Sequence, residues 1–298
     1  MPPSNAEISS LTSLACLFEA SAPKPGNVSP GRPFQDMHYE DFVASALAIG
    51  PELAMAGERP LGATILAAVR ATRRWTPANT NLGVILLLAP IARAAHRLGD
   101  PLAARQSLRD HLRGVLNETT IEDARLTYIA IREADPSGLG TASEQDVAAE
   151  PTVPLGEAMR LAAKRDSIAR EYVTGFTLTF ELGVPALRTA RAAGLDWIDA
   201  TVETFLYLLA REPDSLIARK LDTGAADRTS QQAAKVLAAG GVRTAAGRAA
   251  LATFDVDLRD DHNSRNPGTT ADLTAATLFV ALLEGGWDTD RLRMARAQ

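Results

Sequence analysis

Alanine, leucine and arginine dominate long stretches of this chain, and few runs alternate apolar and polar residues with period two. These three residues are strong helix formers, and a half-buried strand needs the alternation that is missing. Of 298 residues, 54 are alanine, while aromatics make up only 5%. The pattern predicts an all-α fold, built as one compact multi-helix domain over residues 1–298. Hydrophobic residues at 46% and charged residues at 22% fit a globular chain with a sizeable core.

The spacing predicts helices over 5–21, 36–49, 60–75, 80–98, 101–116, 120–134, 157–182, 185–193, 197–210, 214–221, 230–238, 244–258 and 270–284. Residues 135–156 hold Gly, Pro and Ser without periodicity and read as a long loop, which in a compact domain is usually functional. No fixed-period repeat and no dividing linker stands out.

Charge and composition remove several function classes. The net charge is −5, which argues against general nucleic-acid binding, because that draws on phosphate neutralisation. The single cysteine, Cys16, forbids an intrachain disulfide and makes a cysteine zinc site untenable. The four histidines form no H-x-x-x-H pair, so a metal would rest on oxygen ligands, which points to Mg²⁺. The first residues lack a basic region followed by an apolar one. The most apolar run, 82–92, is too short to span a bilayer. The expectation is a cytoplasmic protein with no membrane partner. Oligomeric state is not legible.

No nucleophile elbow, Walker loop or dinucleotide fingerprint is present. The functional signal is instead a set of carboxylates in apolar company. In the predicted 157–182 helix, Ala158, Ala162, Asp166, Ala169 and Val173 share one face, so Asp166 points toward the core. Asp272 shares a face with Ala276, Phe279 and Leu283. A buried carboxylate must be paired, hydrogen-bonded or metal-bound; for either acid an internal salt bridge, for example with Arg165 or Arg219 from another turn, is the plain alternative. Asp36 and Asp214 stand where helices begin and suit N-caps as well as ligands.

Three segments suit phosphate. Lys24 lies on the rigid Pro23-Lys24-Pro25-Gly26-Asn27 turn. Asn266-Pro267-Gly268-Thr269-Thr270-Ala271-Asp272 runs into a helix N-terminus, where free N–H groups favour anions. Arg219 and Lys220 follow Asp214 by little more than one helical turn. With the inward acids, these suggest Mg²⁺ and a polyphosphate in a helical pocket.

These segments resemble the triphosphoribosyl-dephospho-CoA synthase family. Ala22-Pro23-Lys24-Pro25-Gly26-Asn27-Val28 is similar to its S-P-K-P-G-L-V. Phe34-Gln35-Asp36-Met37-His38, followed by Phe42-Val43-Ala44-Ser45, resembles its H-x-D-M and F-x-x-S. Asn79-Thr80-Asn81-Leu82-Gly83 falls where the family has N-T-H-K-G. Asp214-Ser215-Leu216-Ile217-Ala218-Arg219 resembles D-T-N-x-x-x-R, and 266–273 resembles S-P-G-G-S-A-D-L. The segments run in order from about Ala22 to Leu283, and the chain is identified as a member of a divergent branch seen in archaea and some bacteria.

The resemblance implies an all-α transferase that takes ATP as a substrate with Mg²⁺. In the implied reaction the 2′-hydroxyl of dephospho-CoA attacks C1′ of the ATP ribose. Adenine leaves and the triphosphate stays on the transferred ribose. It further implies Asp36, Asp166 and Asp272 as catalytic. Asp36, Asp166, Asp214 and Asp272 would be the metal ligands. Lys24, Gly26, Asn79, Thr80, Asn81, Arg219, Lys220, Asn266, Gly268, Thr269 and Thr270 would be the phosphate or substrate contacts. Asn81-Leu82 departs from the family's His-Lys, and with that cation lost, Arg219 or Lys220 is expected to compensate. The alternatives are a transferase or hydrolase acting on another nucleotide or phosphorylated intermediate of coenzyme biosynthesis, such as a one-carbon carrier, and a non-catalytic nucleotide-binding protein.

Overall fold

The computed structural model describes residues 2–98 and 106–285. Among them the regular structure is helical, with a single isolated bridge, Ser29 to Arg32, and no strand. The order is α1 (Asn5–Ser21), α2 (Tyr39–Ala54), α3 (Leu61–Arg73), α4 (Leu82–Ala95), α5 (Leu108–Asn117), α6 (Ile121–Ala134) and α7 (Leu155–Ala162). Then come α8 (Ser167–Thr174), α9 (Val184–Ala192), α10 (Trp197–Leu209), α11 (Ser215–Lys220), α12 (Thr223–Ala238), α13 (Ala245–Leu258) and α14 (Gly268–Leu283). A π-helical turn, Leu178–Gly183, leads into α9. No described helix is long and apolar enough to cross a membrane.

Caps set many of the boundaries. Ser4, Ser107 and Thr120 each accept the N–H three residues on, and Glu7, Asp110 and Asp123 answer to the cap backbone, forming capping boxes. Asp222 accepts the Ala225 N–H at 2.7 Å and starts α12 seven residues before the expected 230. The first part of the expected 101–116 helix, 101–105, lies outside the described residues.

The expected helix over 157–182 is broken twice. Asp166 caps a new helix instead of continuing the old one, and its Oδ1 accepts the Ala169 N–H at 3.0 Å. Gly175 at φ 63° ends α8 in the left-handed region, where a residue without Cβ carries no steric cost. Asp166 therefore does not sit on a mid-helix stripe; a cap places it.

At the centre lies α14, packed against α1, α4, α8, α9, α10 and α11. Its residues from Thr269 to Leu282 are buried all round, except Asp272, and a helix apolar on every face belongs inside. The larger core joins α1 to α10 with α14, and a smaller one packs another face of α10 against α12 and α13.

Buried α4 carries Pro90 in its interior. Proline has no N–H for the carbonyl four residues back, which is that of Leu86. The Tyr172 hydroxyl of α8 donates to this Leu86 carbonyl at 2.6 Å, so the two helices are locked together beside the site.

Candidate active site

A cleft of about 730 Å³ opens among the first turns of α4, α8 and α14, the flanks of α6, α7 and α11, and the loops 27–37 and 135–147. Asp36, Asn79, Thr80, Asn81, Asp166, Arg219, Lys220, Asn266, Gly268, Thr269 and Asp272 all line it. Lys24, Gly26, Asp214 and Thr270 do not.

Each of these four has other work. Lys24 is fully buried and its Nζ donates to the Glu19 carboxylate at 2.8 Å, to the Glu19 carbonyl, and to the Ala22 carbonyl at 3.3 Å. An ammonium has three donors, so none remains for phosphate. Gly26 at φ 70° donates its N–H to Asp255 Oδ1 at 2.8 Å and anchors the Lys-Pro-Gly turn. Asp214 Oδ1 accepts the Leu216 and Ile217 N–H groups, and Oδ2 accepts the N–H and hydroxyl of Thr270 at 2.7 and 2.8 Å. Burial pushes the Asp214 carboxyl up, while those four bonds pull it back. It joins the starts of α11 and α14 and has no lone pair turned to the cleft, so the structure gives it a capping place, not a metal ligand's.

Within the cleft, charges are mostly answered. Asp166 Oδ2 meets Arg219 Nη1, and that guanidinium also reaches Ser215 Oγ at 3.4 Å. Asn79 Oδ1 caps α4 by accepting the Leu82 N–H at 3.1 Å. Thr80 shares a 2.5 Å hydrogen bond with Ser45. Asn266 Nδ2 donates to the Gly26 carbonyl at 2.7 Å and to Asn27 Oδ1 at 3.1 Å, tying the two glycine turns. Ser215 donates to Thr269 Oγ1 at 3.1 Å. Lys220 donates to the Asn263 carbonyl at 3.1 Å, and partial burial lowers its pKa against the pull of Asp260, Asp214 and Asp36. Asp36 is exposed, with only Asn263 Nδ2 at 3.5 Å.

Of the acids singled out in the sequence, Asp272 is the exception. Among the described residues no donor is hydrogen-bonded to its carboxylate and no cation is paired with it. Burial, followed by the nearby charges of Glu19, Asp214 and Asp166, holds its carboxyl well above the ordinary carboxylate range, and Arg219 opposes this only in part. A cleft acid raised by burial and like charges is a common mark of a reactive group.

The cleft also contains Glu19, Arg73, Thr127, Glu144, Arg165 and His262, which the motifs did not single out. Glu19 was detectable: Ile8, Thr12, Ala15 and Glu19 follow one another on a buried helical face, the same inward phase that marks Asp272. No three of His, Cys, Asp and Glu among the described residues gather into a metal cage.

The model of a family described as ATP:dephospho-CoA triphosphoribosyl transferase matches residues 5–291. The chain belongs to that family. A 2-(5''-triphosphoribosyl)-3'-dephosphocoenzyme-A synthase of Klebsiella pneumoniae is 34% identical over 111 residues, which is 37% of this chain and 39% of the relative. A protein of Pseudomonas fluorescens with the corresponding probable description is 34% identical over 112 residues, 38% of each chain. The chain thus spans about two fifths of the length of the curated relatives it matches. A crystal structure from Archaeoglobus fulgidus, solved as a candidate triphosphoribosyl-dephospho-CoA synthase, superposes with a TM-score of 0.61 at 28% identity, covering 82% of this chain and 99% of that one. Within this triphosphoribosyl transferase family fold, Asn81 and Leu82 are both cleft residues, so the departure from His-Lys falls at the site itself.

Proposed function

We propose that the protein transfers the 5-triphosphoribosyl group of ATP to the 2′-hydroxyl of dephospho-CoA, with release of adenine. The observation that carries this reading is the unpaired Asp272 carboxylate in a cleft that Arg219 and Lys220 also line.

In this reading the hydroxyl oxygen forms the bond to C1′. The C1′–N9 bond breaks with its electron pair going to adenine. The hydroxyl proton passes to Asp272, and adenine takes up one proton through solvent. A carboxyl with a raised pKa is the stronger base for a hydroxyl once ionised. Asp166, held by Arg219, lies on the same cleft and offers negative charge to the oxocarbenium character that develops at C1′. Arg219, Lys220 and Arg165 would take the triphosphate, which is a handle here and not a leaving group.

Mg²⁺ commonly binds through one or two carboxylates together with substrate phosphates. The residues fit that mode at the mouth of the cleft, where Asp36 keeps its carboxylate largely open and Lys220 is near. The ion would shield triphosphate charge there.

The test is adenine release from ATP, with and without dephospho-CoA, in the native protein and in Asp272→Asn. Acceptor-dependent release that falls at least a hundredfold in the variant supports the reading. Native protein that binds ATP but releases no adenine would favour the non-catalytic alternative. The Asn81-Leu82 departure favours one further arm, other hydroxyl-bearing nucleotides as acceptors.

A further inference from the structure

The two walls of the cleft differ in chemistry. The charged lining residues come from α1, the end of α3, α11, α14 and the connecting loops, Arg165 and Asp166 between α7 and α8 among them. The lining residues contributed by α4, α6, α7 and α8 carry no charge, and Leu86, Ile131, Leu155, Met159 and Ile168 are typical of them. This apolar wall includes two polar atoms with nothing to bond. Thr127 is 0% exposed, lines the cleft from α6, and its Oγ1 has no hydrogen-bond partner among the described residues. Asn81, 8% exposed at the start of α4, accepts the Thr72 hydroxyl at its Oδ1 (3.2 Å), which orients the amide, while its Nδ2 is buried and unpartnered. The hydroxyl of Tyr128, by contrast, is already committed to the Gln145 carbonyl at 2.7 Å.

Leaving buried donors unpaired costs a folded protein stability. Two of them on an otherwise apolar cleft wall make a pocket of the kind that orients an uncharged ring, with much apolar contact and few placed polar groups. Their position relative to the reacting acid narrows the choice. Asp272 touches Gly83: a Cβ built there would meet Asp272 Oδ2 at 2.0 Å. Asn81 is two residues before Gly83. A ligand group within reach of Asn81 is therefore next to the atom on which Asp272 acts.

We propose that the apolar wall receives the purine ring of the nucleotide donor, with Asn81 Nδ2 and Thr127 Oγ1 as the partners of its edge. This rests on the triphosphoribosyl-transfer reading, because that chemistry puts the donor's purine one bond from the reacting C1′; the acceptor also carries an adenine, on the ribose of its attacking hydroxyl, so adenine must compete with ATP and not with dephospho-CoA for the assignment to the donor to stand. A purine presents apolar faces and a rim of fixed donors and acceptors, so it satisfies both atoms without ordering a flexible chain. The pantetheine arm of the acceptor is also uncharged. It hangs from the far side of a diphosphate, away from the reacting hydroxyl, so it does not belong beside Asp272. Leu82 on this wall follows from the same assignment: an apolar side chain suits a ring where a lysine would suit phosphate.

Free adenine, inorganic tripolyphosphate and pantetheine are titrated calorimetrically into the native protein, Thr127→Val and Asn81→Ala. Adenine is expected to bind the native protein, and each variant to bind it about tenfold more weakly, with tripolyphosphate binding unchanged. Thr127→Val should at the same time melt no lower than the native protein, because it removes an unsatisfied hydroxyl and keeps the shape. No adenine binding at millimolar concentration, equal adenine binding in Thr127→Val, or weakening of pantetheine binding in place of adenine would each overturn the proposal. If adenine binds as expected but ATP with dephospho-CoA yields no product, the purine pocket stands and the reaction assignment fails.

Discussion

Asp272 and Gly83 approach so closely that the side chain of one occupies the space a Cβ of the other would need, 2.0 Å from Oδ2 and 2.4 Å from Cγ. The absence of a side chain at 83 lets the first turn of α4 press against the central acid of α14. Ile168 Cδ1 stands 2.8 Å from the same point, so Asp272 cannot simply swing aside. Gly83→Ala is expected to displace the carboxylate and lower kcat about a hundredfold, with a smaller effect on Tm. Steady-state adenine release beside a thermal melt checks both halves.

The buried Lys24–Glu19 pair gives a stability prediction. Lys24→Met leaves the Glu19 carboxylate buried without its cation, and such breakage costs about 3–5 kcal/mol. Lys24→Met combined with Glu19→Gln should recover much of that, because no charge is then stranded. Urea unfolding of the two singles and the double measures the difference as a cycle. Equal destabilisation in the single and the double would show that packing matters here and the ion pair does not.

Glu171 predicts a pH dependence. Its carboxylate is 0% exposed, Oε1 accepts the Leu178 N–H at 2.7 Å, and Oε2 has no partner among the described residues. Burial pushes its pKa up to about 8, against the pull of the Leu178 and Thr179 N–H groups and of Arg170 and Arg109. In the unfolded chain the group titrates near 4.5. Between these values the native state holds a proton that the unfolded state has released, so stability falls as pH rises through this window. It is fully present below the lower value. Over that span the loss is about 4–5 kcal/mol at ~1.4 kcal/mol per unit. Glu171→Gln should flatten the decline, as denaturant midpoints from pH 5 to 8 will report.

Tyr172→Phe tests the clasp between α8 and α4. The Leu86 carbonyl then loses its donor inside the core, at a cost of about 1–3 kcal/mol. Because α8 carries Ile168 on the cleft wall, the variant should also weaken nucleotide binding, measured by calorimetry on the folded protein.

The helical class and most element boundaries were legible in the sequence, because they rest on local propensity and on a period of 3.6 residues. The start of α1 at Asn5 and its end at Ser21 coincide with the expected bounds, since a capping box and a Pro-rich turn act within a few residues. The break at Asp166 was missed for the opposite reason. Ala162 and Ala169 continue the stripe across it, and periodicity alone does not distinguish an inward side chain from a cap.

Sequence alone thus determined that acids, glycine turns and cations would be carried on helices, because each of those features is set by neighbours along the chain. Tertiary structure decided what each group meets. Lys24 turns to Glu19 and not to the cleft, Asp214 is filled by Thr270 from 56 residues away, and Asp166 pairs with Arg219 from 53. Of the four acids singled out in the sequence, Asp272 alone is left without a donor or a cation among the described residues. Pairing depends on distance and burial between segments far apart in the chain, and helical phase carries no information about which of several acids the nearby cations will reach.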